Sequence, residues 1–444
     1  MSAKVIKKGT TILTEEPFAF VLNSIHRTTR CDNCFTSGKV LKCSRCQYVH
    51  YCDRNCQKES WRNVHKVECA RLKKVSLEPL LDDARLMARI IIQLNKVGDD
   101  VPGILLSSYE YFTAKNFRTF KDLMSHYSDI IVDKKRMEHF NKIHKILFQL
   151  LDETLMPNTS ELISIYGKLC TNRFGIVNES LNDLGIGLYL GASIMDHSCK
   201  PNAIASFKGT TVIVRTLTDL PSVDWSQIRI TYVNLLNSNK DRREELYNSY
   251  YFWCDCERCK EKEPMAACPN SSCDWPCSIE DDKCEKCSAR ISAEFKKNFQ
   301  EVMDFIEDCL EKMKTTTYVN DKLSLSKKCL EKQKNVMHKF NIQHVRTLER
   351  AFITATNQLY WQDVEFYGKK LVPGYKLYFG EVHSDTGMLY MYIGMAQRHL
   401  GKSNEALETL NKAKTVLKIS YGEKNSFVST QMATMDVMES CAIN

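Results

Sequence analysis

The sequence predicts an α+β multidomain protein, and three observations lead there. Residues 172 to about 233 fall into short apolar runs bounded by glycine, proline and Asp/Asn/Ser clusters, the pattern of β-strands. Residues 81–171 and 292 onward carry apolar side chains at three- and four-residue spacing, the pattern of amphipathic helices. Before and between these regions, at 31–69 and 254–287, cysteines recur in close pairs, as metal-binding modules require. A chain of 444 residues has room for roughly two to four domains.

Composition narrows the setting. No apolar run reaches the eighteen or so residues of a membrane span, so no membrane association is expected. The opening MSAKVIKKGTTILTEE lacks the apolar centre of a signal peptide. The expected location is intracellular, in cytoplasm and nucleus, where disulfides are rare. Twenty cysteines there point to metal instead. Charge is unevenly placed. Residues 39–74 hold ten Lys or Arg against three acids, nearly the whole net charge of +8. Such a face suits an acidic protein or nucleic acid, although a solvated surface carries the same signature.

Taken in order, residues 4–22 alternate around a turn at Lys8-Gly9 and predict one or two short strands. The next segment, CDNCFTSGKVLKCSRCQYVHYCDRNCQKESWRNVHKVEC, places Cys or His at 31, 34, 43, 46, 52, 56, 65 and 69. Two C-x-x-C pairs, one C-x3-C and one H-x3-C supply ligands for two tetrahedral zincs. Ligands four apart lie on one helical face, so 55–69 should be helical. The order resembles the MYND zinc finger, a module that generally contacts protein partners. Its interleaved pairing would put Cys31, Cys34, Cys52 and Cys56 on one ion and Cys43, Cys46, His65 and Cys69 on the other. His126, His139 and His144 share no ligand spacing and read as ordinary helix histidines.

The β-rich stretch contains GIGLYLGASIMDHSCKPN, residues 185–202, where a polar cluster, a thiol and a proline follow an apolar segment. Downstream, FWCDCERC supplies Cys254, Cys256 and Cys259, and a tetrahedral site needs a fourth thiolate. Cys199 is the nearest unclaimed one upstream. Residues 268–287, CPNSSCDWPCSIEDDKCEKC, offer a further ribbon-like site. Cys268, Cys284 and Cys287 would be joined there by either Cys273 or Cys277. From 292 onward helix pairs follow one another, and G-x-A-x-x-x-L-G before A-L-x-x-L-x-x-A has tetratricopeptide-like spacing. Tyr360, Trp361, Phe366, Tyr367, Tyr375 and Tyr378 read as core of that region.

This sequence of modules resembles the SMYD (SET and MYND) family of protein-lysine methyltransferases over about residues 4–260, and the helical tail fits as well. The resemblance implies a β-rich SET fold with a pseudoknot, split between 1–30 and 172–253. A MYND finger at 31–69 and a helical insert at 70–171 interrupt it. A cysteine-rich post-SET zinc region at 254–290 and a helical, tetratricopeptide-like domain at 291–444 complete it. It also implies S-adenosylmethionine as cofactor, bound by Asn172, Asp196, His197, Tyr250 and Phe252, with Tyr232 as the catalytic tyrosine. Three zincs are expected, with Cys268, Cys273, Cys284 and Cys287 as a candidate fourth site.

Three departures bear on activity. Asp196 stands where the family has asparagine, and an ionised carboxylate only accepts hydrogen bonds. Met124 and His126 stand where the family has glutamate and asparagine near the adenosine. The chain also starts at the strand after the family's glycine-rich turn. The reading is a SMYD-like methyltransferase, monomeric, acting on histone or non-histone protein with an eroded cofactor site. The alternative is an inactive SET–MYND scaffold that binds protein partners through finger, cleft and helical tail.

Overall fold

The computed structural model describes residues 5–75, 80–103, 105–107, 118–178, 181–263, 265–316 and 318–423. The parts of the expected domains that fall on 1–4, 76–79, 104, 108–117, 179–180, 264, 317 and 424–444 lie outside the described residues. The chain divides into two compact units. One comprises Met1–His197, Asn202–Ile230 and Leu246–Phe252; the other comprises Ser198–Pro201, Thr231–Glu245 and Trp253–Asn444.

The first unit is mixed. Its amino-terminal strands are β1 (Thr11–Glu15) and β2 (Ala19–Leu22). The finger adds β3 (Leu41–Lys42), β4 (His50–Tyr51), α1 (Arg54–Ser60) and α2 (Lys66–Leu72). Next come α3 (Asp82–Val97), β5 (Leu105–Ser107), α4 (Tyr127–Val132), α5 (Lys134–Leu150) and α6 (Thr159–Asn172). Strands β6 (Arg173–Val177), β7 (Asp183–Leu188), β8 (Asp196–His197), β9 (Ala203–Lys208), β10 (Thr211–Thr216) and β11 (Arg229–Ile230) complete it.

One sheet runs β5-β1-β10-β9 and another β2-β7-β6. The two predicted amino-terminal strands therefore exist without pairing. Pro17 breaks the run between them, since it offers no N–H to a ladder. Gly185 sits opposite Leu22 on β7, and a Cβ there would lie 2.3 Å from the Val21 carbonyl oxygen and 2.7 Å from the Phe35 ring. A glycine is needed because the finger's Phe35 packs straight onto the strand. Helix α3 is buried continuously over residues 84–92, including Arg85 and Arg89. In the finger, α1 passes through a π-helical turn, Trp61–His65, into α2. Cys52 precedes the helix rather than lying on it. Asp53 caps α1 by accepting from the Cys56 N–H at 2.8 Å.

Helix α7 (Asn239–Tyr250) begins in the second unit and ends in the first. The second unit continues with α8 (Glu257–Lys260), α9 (Ala293–Thr315) and α10 (Val319–Gln333). It ends with α11 (Ile342–Asn357), α12 (Trp361–Tyr378), α13 (Ser384–His399) and α14 (Ser403–Tyr421). From α9 onward each helix packs on the next. Gly394 lets α13 and α14 close up, since a Cβ would come within 2.5 Å of Leu410. Tyr367, Tyr375 and Tyr378 are core as expected. Phe366 and Tyr360 are not: both are exposed, with the Lys370 ammonium over the Phe366 ring, and Trp361 stacks on His399. Helical period marks a face as apolar without saying which neighbour covers it.

Candidate metal centres and cofactor pocket

Zinc–sulfur bonds of about 2.3 Å in a tetrahedron hold sulfurs about 3.8 Å apart. Four groups of described residues meet that spacing, each with its ligand atoms within 4.8 Å of one another. In the finger, Cys31, Cys34, Cys52 and Cys56 form the first group, with Cys34–Cys52 at 3.7 Å and Cys52–Cys56 at 3.5 Å. Cys43, Cys46, His65 and Cys69 form the second, with His65 Nε2 3.4 Å from Cys43 and 3.7 Å from Cys46. The chain turns sharply after each C-x-x-C. Phe35 and Gln47 adopt left-handed backbone (φ 63° and 59°), and their N–H groups return to the carbonyls of Cys31 and Cys43.

Behind the second group lies a charge network absent from the sequence reading. Glu68 Oε1 is 3.1 Å from His65 Nδ1, which leaves Nε2 to face the cysteines. The same carboxylate accepts from Arg85 (2.9 Å) and Arg89 (2.7 Å). Both arginines also reach Asp32, beside ligand Cys31, at 2.7 Å. All four side chains are buried. Burial alone would raise the Glu68 carboxyl's pKa, but Arg85 and Arg89 hold it well below the usual carboxylate range. A visible signal existed: arginines four apart in the apolar run DARLMARIIIQL.

In the second unit Cys199 meets Cys254, Cys256 and Cys259, with Cys199–Cys259 at 3.6 Å. The fully buried Arg242 points its guanidinium at this group, Nε to Cys199 Sγ at 3.2 Å and an Nη to Cys259 Sγ at 3.7 Å. Four thiolates around a divalent zinc leave a net charge of −2, and Arg242 offsets half of it. The fourth group contains Cys268, Cys273, Cys284 and Cys287, without Cys277.

The residues expected to bind the cofactor lie in the first unit. His197 is buried on β8, which pairs in parallel with β11. Its ring centroid is 6.1 Å from that of Phe252, which in turn is 6.5 Å from Tyr250. Between the last two, Tyr251 takes left-handed backbone (φ 61°), donates to Asp133 at 3.2 Å and packs on His126. Asn172 ends α6, and its amide donates to the carbonyls of Met124 (3.1 Å) and Lys168 (2.9 Å). Asp196 is solvent-facing, with Arg229 3.8 Å away. Tyr250 alone of this set lines a polar cavity of about 620 Å³ shared with Asp83, Arg136, His139 and Arg173. S-adenosylmethionine joins a purine to a sulfonium and a charged amino-acid end. Three aromatic rings and an open carboxylate are a donor set that fits such a ligand.

Asn202, the last residue of the polar cluster, ties that region together. Its Oδ1 accepts from the Arg229 N–H at 2.8 Å, and its Nδ2 donates to the Gln227 carbonyl at 2.9 Å. Tyr232 belongs to the second unit and is half-buried. The Thr231 hydroxyl brackets it by donating to the Val233 carbonyl at 2.7 Å.

Known proteins resemble this chain over nearly its whole length. Residues 31–69 match the MYND finger family. The histone-lysine N-methyltransferase ASHR1 of Arabidopsis thaliana is 28% identical across 98% of this chain and 92% of its own length. The histone-lysine N-methyltransferase SMYD3 of Mus musculus is 24% identical across 99% and 94%. The N-lysine methyltransferase SMYD2 of Mus musculus is 26% identical across 93% and 89%. Among the described residues no helix is long and apolar enough to cross a membrane. With its finger, its α+β multidomain fold and relatives that match it nearly end to end, the chain is similar throughout to the SMYD-type lysine methyltransferases.

Proposed function

We propose that this protein is an S-adenosylmethionine-dependent protein-lysine N-methyltransferase. The observation that carries the reading is the near full-length relationship to proteins named for lysine methylation. When bound, the cofactor supplies a methyl group on a sulfonium. His197, Tyr250 and Phe252 would hold its aromatic and cationic parts, Asn172 its polar edge and Asp196 its ammonium. Tyr232 would orient a neutral lysine amine through its hydroxyl, and a dry channel would favour the uncharged amine. The substrate is a histone or another protein, and the expected compartments are cytoplasm and nucleus. We further propose the domain division into a split SET region (1–30, 172–253), insert (70–171), post-SET region (254–290) and tetratricopeptide-like tail (291–444). The basic 39–74 face would serve an acidic protein or nucleic acid.

A second reading, a scaffold without activity, rests on Asp196 and on His126. Asp196 is not the family asparagine, and His126 is engaged internally with Asp129 (3.2 Å) and Tyr251. Cofactor binding separates the two. Ligand at a hundred times its dissociation constant stabilises a fold by about 2.7 kcal/mol. Such a thermal shift with S-adenosylmethionine, and methylation of histone or cell-derived protein that Tyr232→Phe abolishes, supports the enzyme. No shift at millimolar cofactor sinks it and leaves the scaffold.

A further inference from the structure

We propose that Cys268, Cys273, Cys284 and Cys287 hold a fourth zinc in a ribbon that fastens the entrance of helix α11. The inference stands apart from the methyl-transfer reading. The sulfur positions fit: Cys268–Cys287 is 3.4 Å and Cys273–Cys284 is 4.0 Å. These separations bracket the edge of a zinc–thiolate tetrahedron and are far wider than the roughly 2 Å of a disulfide.

The chain also repeats one backbone device here. Cys284-x-x-Cys287 has the backbone of the finger's two C-x-x-C turns. The residue after the second cysteine, Ser288, takes left-handed backbone (φ 57°), as Phe35 and Gln47 do. Its N–H returns to the Cys284 carbonyl at 2.9 Å, against 3.0 Å for Phe35 to Cys31 and 2.9 Å for Gln47 to Cys43. The first cysteine's own N–H closes the loop from the far side, to Ala289 at 2.8 Å, as Cys31 does to Thr36 and Cys43 to Val49. Non-glycine residues visit left-handed backbone rarely. Three occurrences at one offset from a C-x-x-C pair mark one device, a metal knuckle. Cys277 is spared for another task. Its N–H and carbonyl both pair with Ala266 (2.9 and 3.0 Å), and its side chain is buried in the apolar cluster with Phe299 and Ile306.

The ribbon is also attached to something. Ala266 bridges Met337, the Ala267 N–H donates to the Val336 carbonyl at 2.9 Å, and Asn341 Nδ2 donates to the Met265 carbonyl at 2.8 Å. Asp274, next to ligand Cys273, contacts Lys339 and accepts from His338 through its carbonyl. Asn341 also caps α11 by accepting from the N–H groups of Gln343 and His344. Residues 265–291 contain no long helix or strand, so a metal cross-link would add to the backbone bridges and the apolar cluster that hold them. Cys287 is the one exposed ligand among the four groups. This zinc should therefore be first to leave.

The test is metal content of the full-length chain by mass spectrometry. Four zincs are expected on the wild type, three on Cys287→Ser and four on Cys277→Ser. Chelator challenge of the unmodified chain covers the case of a variant that misfolds. One zinc should leave roughly tenfold or more faster than the rest. In Cys287→Ser, hydrogen exchange over 336–348 should rise by roughly tenfold, while residues 31–69 keep their protection. Three zincs on the wild type, metal loss on Cys277→Ser instead of Cys287→Ser, or release in a single phase overturns the site. Unchanged exchange at 336–348 overturns the fastening role.

Discussion

Glu68 stands between a metal ligand and two buried cations, with its Oε1 3.1 Å from His65 Nδ1 and 2.7 Å from the Arg89 guanidinium. Carboxylates behind ligand histidines fix ring orientation and raise basicity, and losing one typically costs 10–100-fold in metal affinity, roughly. Glu68→Ala should weaken zinc at the second finger site by about that factor in chelator competition. It also leaves Arg85 and Arg89 with Asp32 as their remaining carboxylate. Breaking a buried ion network costs about 3–5 kcal/mol, so the urea midpoint of the finger-bearing unit should fall sharply.

Arg242 invites a parallel experiment. Its guanidinium donates to the sulfurs of Cys199 and Cys259 from a fully buried position. Arg242→Met keeps much of the volume and removes the charge. It should speed zinc loss from this site and lower the thermal midpoint, while the finger retains its zinc. Arg242→Lys should rescue little, because an ammonium cannot span both sulfurs as the planar fork does.

Glu15 makes stability depend on pH. Its buried carboxylate accepts from the N–H groups of Gly191 (2.7 Å) and Ala192 (2.8 Å). Burial pushes its pKa up to about 7 from 4.5, with those backbone bonds opposing. Below pH 4.5 both folded and unfolded chains hold the proton. Between 4.5 and 7 the unfolded chain releases it and the folded one does not, so stability falls as pH rises through that window. The full loss is on the order of 3 kcal/mol at about 1.36 kcal/mol per pH unit. Glu15→Gln should flatten this part of the profile in denaturant titrations at pH 5, 6 and 7, whatever its effect on absolute stability.

Asn202 adds to the support that β11 already draws from β8, through its bonds to the Arg229 N–H and the Gln227 carbonyl. Asn202→Asp keeps the oxygen that accepts from Arg229 and places a second oxygen against the Gln227 carbonyl. The expected cost is about 1–3 kcal/mol, read as faster hydrogen exchange at 228–230 with the finger unaffected.

Legibility followed locality. Cysteine spacing could be read because tetrahedral metal geometry restricts ligands within a few residues of each other, as in Cys31/Cys34 or Cys254/Cys256/Cys259. Joining Cys199 to the latter needed only the rule of four ligands. What escaped was carried by contacts distant in sequence. Glu68 looked like one of three acids in a basic stretch, and its partners lie 17 and 21 positions away. Glu15 meets backbone 176 positions on. Apolar period marked α12 well but could not tell buried Tyr367 from exposed Phe366 beside it.

The arginines of α3 have a consequence for how such a protein can change. The finger contributes Asp32 and Glu68, the helix contributes Arg85 and Arg89, and neither half is neutral without the other. A finger grafted from a protein lacking either acid would strand a cation in the interior, whatever its own folding. A change at any one of the four leaves an opposite charge buried without its full set of partners. Finger and helix therefore match only as a pair, and a crossover between residues 68 and 85 that separated them would leave a buried charge without its partner.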